Sequence, residues 1–158
     1  MRIIVPYTHL SPDTVEHLDR LGIPVEYVET PADDVYAYWR LFDNLLQEGS
    51  DFLLIEGDKL PTMEQIIAMD TCHESLICGH GGFATTRFRG ELWTVYGRHW
   101  LRHHQPIHWY GMDGAIAAIF HWVGVVYHRH PGMIEHHHIG PSSDEQGTGR
   151  KVGQVGHR

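Results

Sequence analysis

Apolar residues in the first half of the chain fall into short runs separated by stretches with helical spacing. Ile3, Ile4 and Val5 form a continuous run, which predicts a buried first strand ended by Pro6. Ser11-Pro12-Asp13 then marks a helix start. Serine can cap, proline suits the first turn, and an acid suits the positive end. Val15, Leu18 and Leu21 recur at helical spacing before Gly22 stops the helix. Val25 to Val28 predicts a second strand. Val35 to Gln47 predicts a second helix whose apolar face carries Val35, Tyr38, Trp39, Phe42, Leu45 and Leu46. Phe52 to Ile55 predicts a third strand, apolar throughout as when helices cover both sheet faces. Leu60-Pro61-Thr62 leads into a third helix with Met63, Ile66, Ile67 and Met69 as core candidates, and Leu76 to Cys78 predicts a fourth strand.

This β-α-β-α-β-α-β order predicts an α/β fold with three layers and a mostly parallel, Rossmann-like sheet. In such folds, ligands bind outside the carboxyl ends of the strands. Pro6-Tyr7, Glu29 and Glu56 to Asp58 all lie at predicted strand ends, so three separate segments converge on one edge.

The second half is less regular. His80-Gly81-Gly82 reads as a turn, Leu92 to Tyr96 as a strand and Arg98 to His104 as a short helix. Asp113 opens a compact helix, GAIAAIFHW, and Val125 to Tyr127 reads as a strand running into His128, Arg129 and His130. Residues 1–139 are expected to form a single domain. Residues 140–158 have almost no core-forming side chains and are expected to be a flexible tail.

Size and composition narrow the classes. A chain of 158 residues is long enough for one domain with a real core. A net charge of −8 argues against broad, backbone-driven nucleic-acid binding. No run of 18 apolar residues occurs, so no membrane span is expected. Two cysteines, Cys72 and Cys78, make no disulfide framework and are expected to be reduced, buried thiols. A cytoplasmic protein is the expectation. There is no GxGxxG after the first strand, no Walker lysine motif and no GxSxG elbow.

Three groups of residues carry chemistry. Glu56 and Asp58 end the third strand; if the backbone stays extended, both point the same way and could hold Mg2+ or Mn2+ against a diphosphate. A solvated turn is the alternative. Ten of the fifteen histidines fall between His99 and His138. His136 and His138 share a face in an extended segment and suit a transition metal, or else form a surface cluster. His128 and His130 also share a face, with simple capping of the sheet edge as the alternative. Asp113 is either a helix N-terminal carboxylate or a general base.

The motifs IIVPY, YWRLFDNLLQEGSDFLLIEGDKLPT, WYGMDGAIAAIF and HRHPGMIEHHH, in this order, resemble the nucleotide-sugar glycosyltransferases of the GT-A fold. The inverting family 2 type, and the short glycosyltransferase-like proteins of some bacteriophages, are the most similar. The resemblance implies a metal-dependent transferase moving a sugar from a UDP- or GDP-linked donor to an acceptor hydroxyl with inversion. It further implies that Asp58, with His138 or His136, holds Mn2+ or Mg2+. Pro6, Tyr7, Glu29, Arg40, Asn44 and Glu56 would line the nucleotide site, and Asp113 would be the base. A phage-encoded member would act in the host cytoplasm. A non-catalytic nucleotide-sugar or glycan-binding module on the same scaffold, even as part of a larger assembly, is the other reading.

Overall fold

The computed structural model describes residues 1–34, 36–80, 85–95, 97, 118 and 120–136. The elements run β1 (Arg2–Tyr7), α1 (Pro12–Leu21), β2 (Glu26–Glu29), α2 (Ala37–Gln47), β3 (Phe52–Ile55), β4 (Lys59–Leu60), α3 (Met63–Thr71), β5 (Ile77–His80), β6 (Thr85–Phe88), β7 (Tyr127–His130) and β8 (Glu135–His136). Six strands form one sheet in the order β2-β1-β3-β6-β5-β7, while β4 and β8 pair separately. β1 is parallel to β2 and β3, and β5 is parallel to β7; β6 alone in this sheet runs antiparallel to both its neighbours.

The result is the expected α/β fold, with a mostly parallel sheet between helical layers. Strand side chains alternate between faces. Ile4, Phe52, Leu54, Ile77 and Phe88 pack with Trp39, Phe42, Leu45 and Leu46 of α2. Ile3, Val5, Leu53 and Ile55 pack on the other side with Leu18 of α1 and Ile66 and Met69 of α3. Phe42 meets Phe52 and Phe88 edge-on, at ring-centroid distances of 5.9 and 5.0 Å. Such aromatic pairs are worth about 0.5–1.5 kcal/mol each beyond area burial.

Several local expectations are corrected. Pro6 does not end the first strand but lies inside β1. Pairing with β3 covers only Arg2 to Ile4, so on that side no ladder bond is asked of Pro6. Residues 91–95 are helical rather than extended. Asp51 Oδ1 accepts from the Gly90 amide at 2.8 Å, and Leu92 and Trp93 donate back to Arg89 and Gly90. A Cβ on Gly90 would collide with the Gly49 backbone, so the turn that launches this helix needs glycine. Residues 118 and 120–122 are helical, as expected for the GAIAAIFHW stretch, and Phe120 joins the α2-side core. The predicted helix over Arg98 to His104, the Gly81-Gly82 turn, Asp113, His138 and the tail lie outside the described residues.

β6 was not anticipated. Its centre is Arg87, fully buried at 0 % exposure. The guanidinium donates to four carbonyls: Met69 at 3.0 Å, Leu76 at 3.1 Å, Cys72 at 2.8 Å and Ser75 at 3.2 Å. Those oxygens belong to the carboxyl end of α3 and the loop after it, where helix carbonyls lack intrahelical partners. Burial, then the charge of Arg89, pushes the Arg87 pKa down to about 10, so the group stays charged at neutral pH. Arg89 adds bonds to the carbonyls of Asp70 and Cys72 and an ion pair to Asp51. Burial pushes the Asp51 carboxyl up, but the Gly90 amide and Arg89 outweigh it and leave it below its ordinary value.

Arg87→Met fills similar space but leaves four inward-facing carbonyls short of a donor. It should cost at least about 3 kcal/mol in a urea unfolding experiment, with Arg87→Lys recovering only part of the loss.

Candidate functional site

The parallel topology delivers the ends of β1, β2 and β3 to one edge. Tyr7 and Glu29 are register partners. Beyond them the Thr30 amide donates to the Tyr7 carbonyl at 2.7 Å, and Thr8 Oγ1 donates to the Thr30 carbonyl at 2.9 Å. The Ser11 amide donates to the Gly57 carbonyl at 2.9 Å, tying the start of α1 to the segment after β3. Ser11 holds the N-cap position, but its side chain makes no capping bond there.

The Glu56–Asp58 segment is not extended. The Lys59 amide donates to the Glu56 carbonyl at 3.0 Å, closing a turn, so the alternation that would have aligned the two carboxylates does not apply. Lys59 gathers them instead: its Nζ lies 3.0 Å from Asp58 Oδ1 and 3.9 Å from Glu56 Oε2. Asp58 and Lys59 side chains are only 18 % and 16 % exposed, so this pair is screened far less than a surface pair. Gly57 between the acids is buried against β1. A Cβ there would lie 2.7 Å from Tyr7 Cβ and 3.3 Å from the His9 carbonyl oxygen.

β4 and β8 bring the chain's late segment to the same place. Lys59 is the register partner of His136, and Leu60 of Glu135. Asp58 is thus one residue from the position opposite His136. Pro6 is buried in β1 and Tyr7 half-buried at its end; Glu29 is exposed. Arg40 and Asn44 are both exposed on α2. The Arg40 guanidinium is engaged by Asp34, whose carboxyl it holds below the ordinary carboxylate range, with the Tyr36 amide also bonded to Asp34. This pair braces the turn ahead of α2.

A second cluster stands on β5 and β7. Cys78 is the register partner of His128, and His80 of His130. The His80 and His130 rings stack with centroids 5.0 Å apart, and His128 meets His130 edge-on at 4.9 Å. His80 Nδ1 is 3.1 Å from the Pro131 carbonyl. Burial, then the neighbouring histidine charge, holds both the His80 and His130 imidazoles below the ordinary value, which favours their neutral forms. Cys72, His128 and His130 offer ligand atoms within 4.8 Å of one another, an arrangement able to chelate a divalent metal.

The cysteines correct the sequence reading: Cys72 and Cys78 form a disulfide rather than two thiols. Cys72 ends α3, and the carbonyl bonds from Arg87 and Arg89 turn the following loop back so that Cys72 lies over β5. The Cα atoms are 6.6 Å apart, within disulfide reach. His80 was read as part of a turn; it closes β5 and is buried at 6 % exposure. The shared face of His128 and His130 was visible as a His-x-His pattern, but nothing in it pointed to Cys72.

No protein-family model matches the chain, and no curated protein matches it. Among the solved structures that it resembles is one with a TM-score of 0.48 at 12 % identity, covering 82 % of this chain and 82 % of that one. That structure is described as the crystal structure of a glycosyltransferase involved in the glycosylation of the major capsid of PBCV-1. Among the described residues no helix is long and apolar enough to cross a membrane.

Gly57→Ala should destabilise the chain by about 1–3 kcal/mol, because the added methyl meets Tyr7 Cβ and backbone that cannot rotate away. Thermal or urea unfolding measures this, and loss of amide protection at Ser11 would localise it to the sheet edge.

Proposed function

We propose that the chain is a metal-dependent glycosyltransferase of the GT-A type, moving a sugar from a UDP- or GDP-linked donor to an acceptor hydroxyl with inversion. The observation that carries this reading is the lacing of the segments after β1, β2 and β3, with Thr30 tied to Tyr7 and Ser11 tied to Gly57, beside a shielded carboxylate at the sheet's carboxyl edge. Pro6, Tyr7, Glu29 and Glu56 would border the nucleotide, with Arg40 and Asn44 on the flanking helix. Asp113 would take the proton from the acceptor hydroxyl as its oxygen attacks the anomeric carbon. One displacement with the nucleoside diphosphate leaving would invert that centre.

The donor set suits a divalent cation. Asp58 already holds a cation, the Lys59 ammonium, in a half-buried setting. The β4–β8 pairing puts a histidine position beside it. Asp58 with His136 or His138 would hold Mn2+ or Mg2+, an oxygen and nitrogen shell that manganese accepts. When bound, the ion would balance the charge of the diphosphate.

The Asp58–Lys59 ion pair also favours a second reading. In it the chain is a non-catalytic nucleotide-sugar or glycan-binding module, and Lys59 alone meets the phosphate charge.

Calorimetric titration with UDP, with and without Mn2+, separates the two. For the transferase, Mn2+ should tighten UDP binding at least tenfold, and Asp58→Asn should abolish that gain. Equal affinity with and without the metal, unchanged in the variant, removes the metal role. Asp113→Asn should keep UDP binding and lose sugar transfer by two or more orders of magnitude, the usual scale for a general base. Transfer at the parent rate removes Asp113 as the base.

A further inference from the structure

We propose that reduction of the Cys72–Cys78 disulfide opens a zinc site built from the Cys72 thiolate and the imidazoles of His128 and His130. The site stands apart from the carboxylates of the sheet edge. In the sheet order β3-β6-β5-β7, the strand of His128 and His130 is three positions from β3, roughly 14 Å.

The placement comes from register. Cys78 and His80 alternate with Gly79 along β5, and their partners His128 and His130 alternate with Arg129 along β7. Period two puts all four on one sheet face. The bond from Cys78 to Cys72 identifies that face as the one beneath the end of α3. Cys72 Sγ and the two imidazoles then lie within 4.8 Å of one another.

The donor set chooses the metal. One thiolate and two imidazoles suit Zn2+ and disfavour Mg2+, which wants oxygen. Among the described residues, Nε2 of His80 and of His130 is buried without a hydrogen-bond partner. For His130 a bound cation supplies that partner. His80, anchored through Nδ1 at the Pro131 carbonyl, stacks on the His130 ring and sets its orientation. His128 and His130 are only partly buried, which leaves an approach for the ion.

The disulfide gates the site. A sulfur committed to an S–S bond is not a thiolate, and the thiolate is the ligand. A dithiol reductant delivers two electrons and two protons; the S–S bond breaks, Cys72 and Cys78 become thiols, and the reductant leaves as its own disulfide. Zinc then displaces the Cys72 thiol proton to solvent as the Zn–S bond forms. The Arg87 guanidinium is bonded to the Cys72 carbonyl, which holds the residue that carries this sulfur in place. The fourth zinc position is open to water.

Co2+ titration of the full-length chain tests this, since a thiolate-to-cobalt charge-transfer band reports sulfur ligation and ignores the other histidines. The oxidised chain should show no such band. The chain reduced and freed of reductant should show it at one equivalent, and Zn2+ should erase it. Cys78→Ser, which cannot form the disulfide, should show the band without reductant; Cys72→Ser should show none in either state. His128→Ala or His130→Ala should weaken binding at least tenfold, whereas Asp58→Asn should leave the band unchanged, which keeps this test independent of the transferase reading. Absence of the band in both the reduced parent and Cys78→Ser overturns the proposal, as does a band that survives in Cys72→Ser.

Discussion

The buried guanidinium of Arg87 is the constraint on which the rest of the molecule depends. Taking a cation out of water costs several kcal/mol, and the cost is tolerable only if its donors are matched. Here they meet carbonyls at the end of α3 and in the loop that follows, where backbone acceptors would otherwise be orphaned in the interior. Each side solves the other's problem. The bonds fix β6 between β3 and β5, and they fix residues 69–76 over the sheet. Cys72 reaches Cys78 and the β7 histidines because that loop is held in place.

β6 also divides the sheet chemically. On one side β2, β1 and β3 end in Glu29, Tyr7 and the Glu56–Asp58 turn, an oxygen-rich edge with Lys59 inside it. On the other, β5 and β7 carry sulfur and imidazole. Hard oxygen donors and softer sulfur and nitrogen donors select different cations. One antiparallel strand therefore separates two different sets of donor atoms on a single sheet. Its direction follows from connection length: only residues 81–84 join β5 to β6, far too few for a parallel crossover.

The disulfide and the expected cytoplasmic setting pull in opposite directions, because reducing compartments keep most thiols free. A cysteine pair that exchanges between disulfide and metal-bound thiolate is at home at that boundary. The same loop geometry that permits the bond also presents Cys72 to His128 and His130.

The sequence by itself determined the repeated strand–helix alternation, the apolar faces of α1 and α2, and the gathering of Tyr7, Glu29 and Glu56 to Asp58 at one sheet edge; of the four core positions expected on α3, Ile66 and Met69 are buried while Ile67 is exposed. Those features follow from periodicity and from the rule that parallel strands end together. It could not show β6, because a charged residue at the centre of a short run reads as exposed, and only the carbonyls of a distant helix end make Arg87 a core residue. It misread residues 91–95, where an Asp51 carboxylate nearly forty positions away caps the turn. It also misread Cys72 and Cys78: six residues apart, they meet because Arg87, fifteen residues past Cys72, holds their loop back. Local pattern fixes which face of an element is apolar. Which polar groups find partners across the sheet is settled by tertiary contacts, since each such bond joins residues that the chain's own order keeps apart.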